Sequence, residues 1–190
     1  YTSFGLSYNN SAGGGALFEL DTMFANSAGF FNFNSSGSMR IVPASSSFSS
    51  SMEIGSNFAI SSSTSLFEVG TASNSSNINI SAAKQIAGDV VLRGGSVSVS
   101  GAITTTGTGK RISITTDTLT ISANVSATYS SRVEIAQRTA GRGIVLGTAS
   151  ATALAFHANA ANFLRATTLQ FGNTASGIVN IASSITFASA

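Results

Sequence analysis

The feature that most limits what this chain can fold into is the interval at which its apolar pairs return. Val90/Leu92, Ile112/Ile114, Val133/Ile135 and Leu154/Phe156 are alternating pairs whose first members lie 22, 21 and 21 residues apart. A second set interleaves with the first: Val97/Val99, Leu119/Ile121, Ile144/Leu146 and Leu169/Phe171, at intervals of 22, 25 and 25. Alternation at period two marks strands with one buried side, and a steady return marks a chain wound on itself. A third, weaker strand sits near Ile103 and again near Val125. The expectation is an all-β protein, a right-handed parallel β-helix (β-solenoid) with three strands per rung of about 22 residues.

Energetics require such rungs to stack. One rung buries about six apolar side chains at roughly 1.5–3 kcal/mol each, while fixing its backbones costs roughly 1–2 kcal/mol per residue. A single coil therefore does not hold, and neighbours must supply ladder hydrogen bonds and cover both open sides.

Composition removes several classes of function. Charged residues are 8% of the 190-residue chain and apolar ones 43%, which opposes disorder. A net charge of +2, spread thinly and without basic runs among aromatics, gives no nucleic-acid signal. There is no cysteine, hence no disulfide and no thiolate metal site, and no apolar run of membrane-spanning length. No signal peptide opens the chain, which reads as processed or as an excerpt.

Taken in order, residues 1–28 are the least periodic and read as an N-terminal cap or docking segment, continuous with a solenoid over 29–190. Asp21-Thr22-Met23-Phe24-Ala25 suits either a short capped helix or more strand. The serine run Ser45–Ser51 reads as turn, because Met52/Ile54, Phe58/Ile60, Phe67/Val69 and Ile78/Ile80 follow at once. Insertions near 139–142 and 158–161 map to loops, and Ser184–Ala190 reads as a last strand without a cap.

Few residues invite chemistry, and no catalytic, cofactor or metal site is nominated. His157, the single histidine, follows inward Leu154 and Phe156 and faces out without a partner. Gly107-Thr108-Gly109-Lys110-Arg111 lacks the first glycine and the Ser/Thr of a phosphate loop and joins two strands, so it reads as a turn with two cations. Glu53 and Glu68 are the one pair of acids whose phases place them in a common outward column. Asp89, Arg111 and Arg132 each precede the first inward residue of successive rungs; Asp89 and Arg111 form an expected cross-rung pair, with Arg111 beside Arg132 unless Glu134 intervenes. Arg132, Arg138, Arg142 and Arg165 are the basic concentration available for surface contact. Asn9, Asn34, Asn74, Asn79 and Asn124 open Asn-x-Ser sequons.

The segment from Arg132 through Thr148, with Val133-Glu-Ile135, Thr139-Ala-Gly141 and Ile144-Val-Leu-Gly147, resembles the V-x-I…T-A-G-x-x-I-x-L-G phrase of haemagglutinin-type β-strand-repeat surface proteins of bacteria. Leu164–Asn173 and Ser176–Ile181 continue the cadence, so the resemblance covers about residues 88–190, although Thr167 stands where those repeats usually have glycine. It implies a right-handed β-helix, secretion or display at the cell surface, and work in adhesion, fibres or biofilm. The expected function is thus an extracellular structural or adhesive element, stacking end to end with other copies of itself or with further repeats of the same chain, and touching host or matrix glycans. A surface- or ice-binding module and a glycan-acting enzyme are the competing classes. Ice binding would need a Thr-x-Thr array at one phase, where this chain has Ser98, Thr120 and Val145.

Overall fold

The computed structural model describes residues 5–10, 12–21, 30–129 and 131–187. Among these, every strand pairing is parallel, and the strands stack into a three-sided β-solenoid. The first face is one seven-stranded sheet: Ala16–Glu19, Ser38–Val42, Leu66–Val69, Asp89–Arg93, Arg111–Thr115, Arg132–Ala136 and Thr168–Phe171. The second face begins with Met52–Ile54, Asn77–Ile80, Ser96–Val99 and Thr118–Ile121. The third face is built from two sheets. Gly5–Asn10, Phe30–Ser35 and Phe58–Ile60 form one, and Lys84–Ile86, Ile103–Thr105, Val125–Ala127 and Leu164–Arg165 form the other.

Register follows the apolar alternation. Phe67, Val90, Ile112 and Val133 are successive partners on the first face, as are Ile78, Val97 and Leu119 on the second and Ile103 and Val125 on the third. All of these point into one continuous core, where Val90, Ile112 and Val133 are fully buried. A slip of one residue would expose a whole set, so the pattern admits one register. The corners are polar inside: buried Asn74 donates through Nδ2 to Arg93 O (2.9 Å), and buried Thr116 through Oγ1 to Gly95 O (3.1 Å). The first bond satisfies a carbonyl left over where the chain leaves a ladder, and the second adds to the backbone N–H groups of Asp117 and Thr118 on Gly95 O.

The described part of residues 1–28 is paired as a rung: Gly5–Asn10 lies against Phe30–Ser35, and Ala16–Glu19 against Ser38–Val42. The choice of helix or strand for Thr22–Ala25 lies outside the described residues.

The periodic reading fails in one place. Leu154/Phe156 is not the fourth first-face pair. After Ile144–Gly147 the chain turns back through Thr148–Ala153, and Leu154–His157 lies parallel beside Ile144–Gly147, packed next to Thr118–Ile121. The second face therefore receives two strands from one circuit. A helical turn, Ala158–Ala161, follows where a loop is expected, and Leu164–Arg165 rejoins the third face against Val125–Ser126. Only then does the chain regain the first face, where Leu169 and Phe171 pair with Val133 and Ile135. Leu169/Phe171 thus belongs to the first face, not the second. Val179–Ile181 pairs with Ile144–Leu146 as the last second-face strand. Ser184–Phe187, expected as strand, carries no ladder, although Ile185 and Phe187 pack against the core; Ala188–Ala190 lie outside the described residues.

Candidate contact surface

The outward side of the first face gathers much of the chain's charge. Its central column reads Leu17, Arg40, Glu68, Val91, Ser113, Glu134 and Gln170. Glu68, with its side chain 8% exposed, lies between two guanidiniums: Arg40 Nε donates to Oε2 at 2.6 Å, and Arg93 Nη1 bonds Oε1. Three rungs further on, Glu134 does the same for like charges. Arg111 and Arg132 are register partners, and Glu134 takes Arg132 Nε at 2.7 Å and Arg111 Nη1 at 3.9 Å. Asp89 accepts the backbone N–H of Arg111 at 3.0 Å and lies 4.0 Å from its Nε. The cross-rung pair is thus anchored through the backbone more than through its charges.

The four arginines of the basic concentration do not meet. Arg132 stands on the first face with Glu134, and Arg138 and Arg142 at the corner leading to the second. Arg165 is on the third face, its Nη1 donating to Asn162 O (2.6 Å) and Leu164 O (3.0 Å). Arg142 Nη2 donates to Ala153 O at 3.3 Å, which braces the turn-back. Arg138 Nε lies 3.5 Å from Asp117 Oδ2. Asp117 also accepts the backbone N–H of Arg138 (3.1 Å), the N–H of Thr139 (2.9 Å) and the Thr139 hydroxyl (2.6 Å). Burial alone would raise the Asp117 pKa, but the Thr139 bonds and the charges of Arg138 and Arg142 outweigh it and hold the carboxyl below its ordinary value. Asp117 is a bracket for the insertion at 139–142, a role its place among scattered acids did not announce.

Glu53 and Glu68 do not share a column. Glu53 lies on the second face, where Ser81 Oγ bonds its Oε1, and Glu68 on the first. Phase along the chain tells inward from outward but not which face a strand joins. Among the described residues no group of three or more His, Cys, Asp or Glu is placed to hold a metal ion, and no helix is long and apolar enough to cross a membrane. His157 is exposed, at the start of the helical turn. Gly107–Lys110 forms the turn between Ile103–Thr105 and Arg111–Thr115, with Gly109 in the left-handed region at φ 70°. The sequon residue Asn74 is fully buried with its amide bonded, so a folded chain offers no glycosylation site there.

The outward second face is chemically plain. Its columns run Asn77, Ser96, Thr118 and Glu53, Asn79, Ser98, Thr120: hydroxyls and amides with a single charge. Threonine does not recur at one phase on each rung. At the last rung Val179 and Ile181 hold inward register positions opposite Ile144 and Leu146, yet are 45% and 68% exposed. No protein-family model matches this chain, and no curated protein or solved structure matches it either.

Proposed function

We propose that this solenoid is a non-catalytic structural or adhesive element of an extracellular surface, a rod whose exposed last rung is covered by a further rung. That rung comes from more of the same chain or from another copy stacked end to end. One observation carries the reading: Val179 and Ile181 occupy core positions in register while remaining exposed, and among the described residues the other edge of their strand carries no ladder. Apolar surface at a free parallel edge is matched by another parallel strand with the same inward pattern. The resemblance of residues 88–190 to haemagglutinin-type repeats supports display at a cell surface and roles in adhesion, filaments or biofilm. The hydroxyl and amide columns of the second face, with Glu53 their one charge, supply the surface for matrix glycans.

The test is sedimentation velocity with negative-stain electron microscopy of residues 1–190 over rising concentration. Concentration-dependent rods that disappear in Ile181→Asp support stacking between copies. Strict monomers at high concentration, unchanged in Ile181→Asp, overturn it.

A further inference from the structure

On the third face the solenoid is not continuous. Phe58–Ile60 ends one sheet and Lys84–Ile86 begins the next, although at the same rung boundary the first and second faces are fully laddered. Ser61 N–H donates to Phe33 O (2.8 Å) and Phe31 N–H to Asn57 O (2.8 Å), so parallel geometry turns the Phe58 carbonyl and the Ile60 amide the other way, toward Lys84–Ile86, while Phe58 N–H closes on Gly55 O (3.2 Å). Lys84 N–H donates to Ala102 O (2.8 Å) and Thr106 N–H to Ile86 O (2.9 Å), which turns the amide of Gln85 toward Phe58–Ile60. The two edges face each other without a ladder, and a cleft of about 410 Å³ opens between them, lined by Ser56, Phe58, Ile60, Ala83, Lys84 and Gln85.

Lys84 spans that gap. It holds the inward position that Ile103, Val125 and Leu164 hold in later rungs, is 8% exposed, and donates from Nζ to Gly55 O (2.9 Å) and Phe58 O (2.7 Å). A charge in this column breaks a pattern the fold otherwise keeps. Phe31 and Phe58 stack at 4.4 Å between centroids on one side of the boundary, and Phe67 across it lies 6.3 Å from Phe58 with its ring tilted.

The corner opposite this seam is stitched. Phe48 N–H donates to Asn74 Oδ1 (3.3 Å) and Ser75 N–H to Ser47 Oγ (2.8 Å), the Ser47 and Ser75 hydroxyls share a bond of 2.9 Å, and Ser76 Oγ bonds Phe48 O. A rod with one unlaced side and the opposite corner tied bends about the tied corner.

We propose that this seam is a hinge, at which the N-terminal rungs tilt against the rest of the rod, and that Lys84 is the latch that holds it closed. Two ammonium hydrogen bonds replace a ladder, so the seam yields before the laced faces do. Burial lowers the pKa of the Lys84 ammonium, in keeping with a charge held in the core for its bonds.

The absence of cysteine allows spin labels to be placed at will. Ala59→Cys with Gln85→Cys puts labels on outward positions across the seam; Thr104→Cys with Ser126→Cys puts them on register partners of the same face. Dipolar broadening is expected to be weaker and more heterogeneous for the first pair. Lys84→Met is expected to reduce it further there and to leave the second pair unchanged. Equal, Lys84-independent broadening in both pairs overturns the hinge, and equal loosening of both pairs in Lys84→Met overturns the latch. Should Lys84→Met fail to fold, warming the Lys84 protein below its melting point decides: reversible loss of broadening confined to the first pair supports the hinge, and constancy overturns it.

Discussion

Gly95 offers a direct measure of how tightly the rungs are nested. It belongs to the two-residue corner Gly94-Gly95 between Asp89–Arg93 and Ser96–Val99, and a Cβ built on it would lie 2.0 Å from Ser75 O. Ordinary contact begins at 3.4 Å, so Gly95→Ala must part the two rungs by more than an ångström at a corner made of backbone. At stake are the bonds Gly95 N–Ser76 O (3.0 Å), Asp117 N–Gly95 O (3.1 Å) and Thr118 N–Gly95 O (3.2 Å). Weakening two of these at about 1 kcal/mol each, together with overpacking strain of about 1–3 kcal/mol, predicts a loss of roughly 3–5 kcal/mol. Gly109→Ala is the control. Its φ is 70° but nothing lies within 4 Å of the added carbon, so only left-handed backbone strain counts, about 1–2 kcal/mol less a few tenths for lost unfolded-state freedom. Urea melts followed by circular dichroism, backed by thermal scans, measure both. The expected drop in Tm is roughly 6–20 °C for Gly95→Ala and about 2–6 °C for Gly109→Ala, taking about 2–4 °C per kcal/mol. If Gly109→Ala costs as much as Gly95→Ala, the rungs are looser than these distances state and the nesting argument is wrong.

Three further outcomes are expected. Glu68→Gln leaves Arg40 and Arg93 without their shared carboxylate; because both guanidiniums are partly solvated, the loss in urea melts should be about 1–2 kcal/mol and shrink in high salt. Asp117 binds its proton less readily when folded than at the ordinary 3.8, so its contribution is full above that value and fades as pH falls through the lower folded pKa. Asp117→Asn should therefore destabilise at neutral pH, and its difference from the parent should close in acid melts below about pH 4. Ile114→Ala, in the closed core, should cost about 2–5 kcal/mol, whereas Ile178→Ala, 83% exposed, should fall within about 0.5 kcal/mol of the parent.

How far the sequence reading reaches is clearest at the two ends of residues 66–171. Through Phe67, Val90, Ile112 and Val133 the alternation and the interval agree, and the strands pair as the spacing requires. At Leu154 the interval still reads 21, but the strand belongs to another face. The coincidence arises because Gly147–Leu154 turns back on itself, and alternation is blind to such a return. The same blindness set Glu53 and Glu68 in one column. Lys84 carried a legible signal: in Lys84-Gln85-Ile86 it occupies the inward phase, where a charge is out of place. Asp117 carried none, since its partners Arg138 and Thr139 arrive a full rung later.

From the sequence alone came the winding of the chain, the inward set of each strand and the near absence of charge, because these depend on apolar periodicity and composition. The tertiary structure alone decided which strands share a sheet, where the third face parts and which charges meet. Those outcomes depend on the path between strands and on contacts separated by a full circuit of the coil, and local alternation does not encode either.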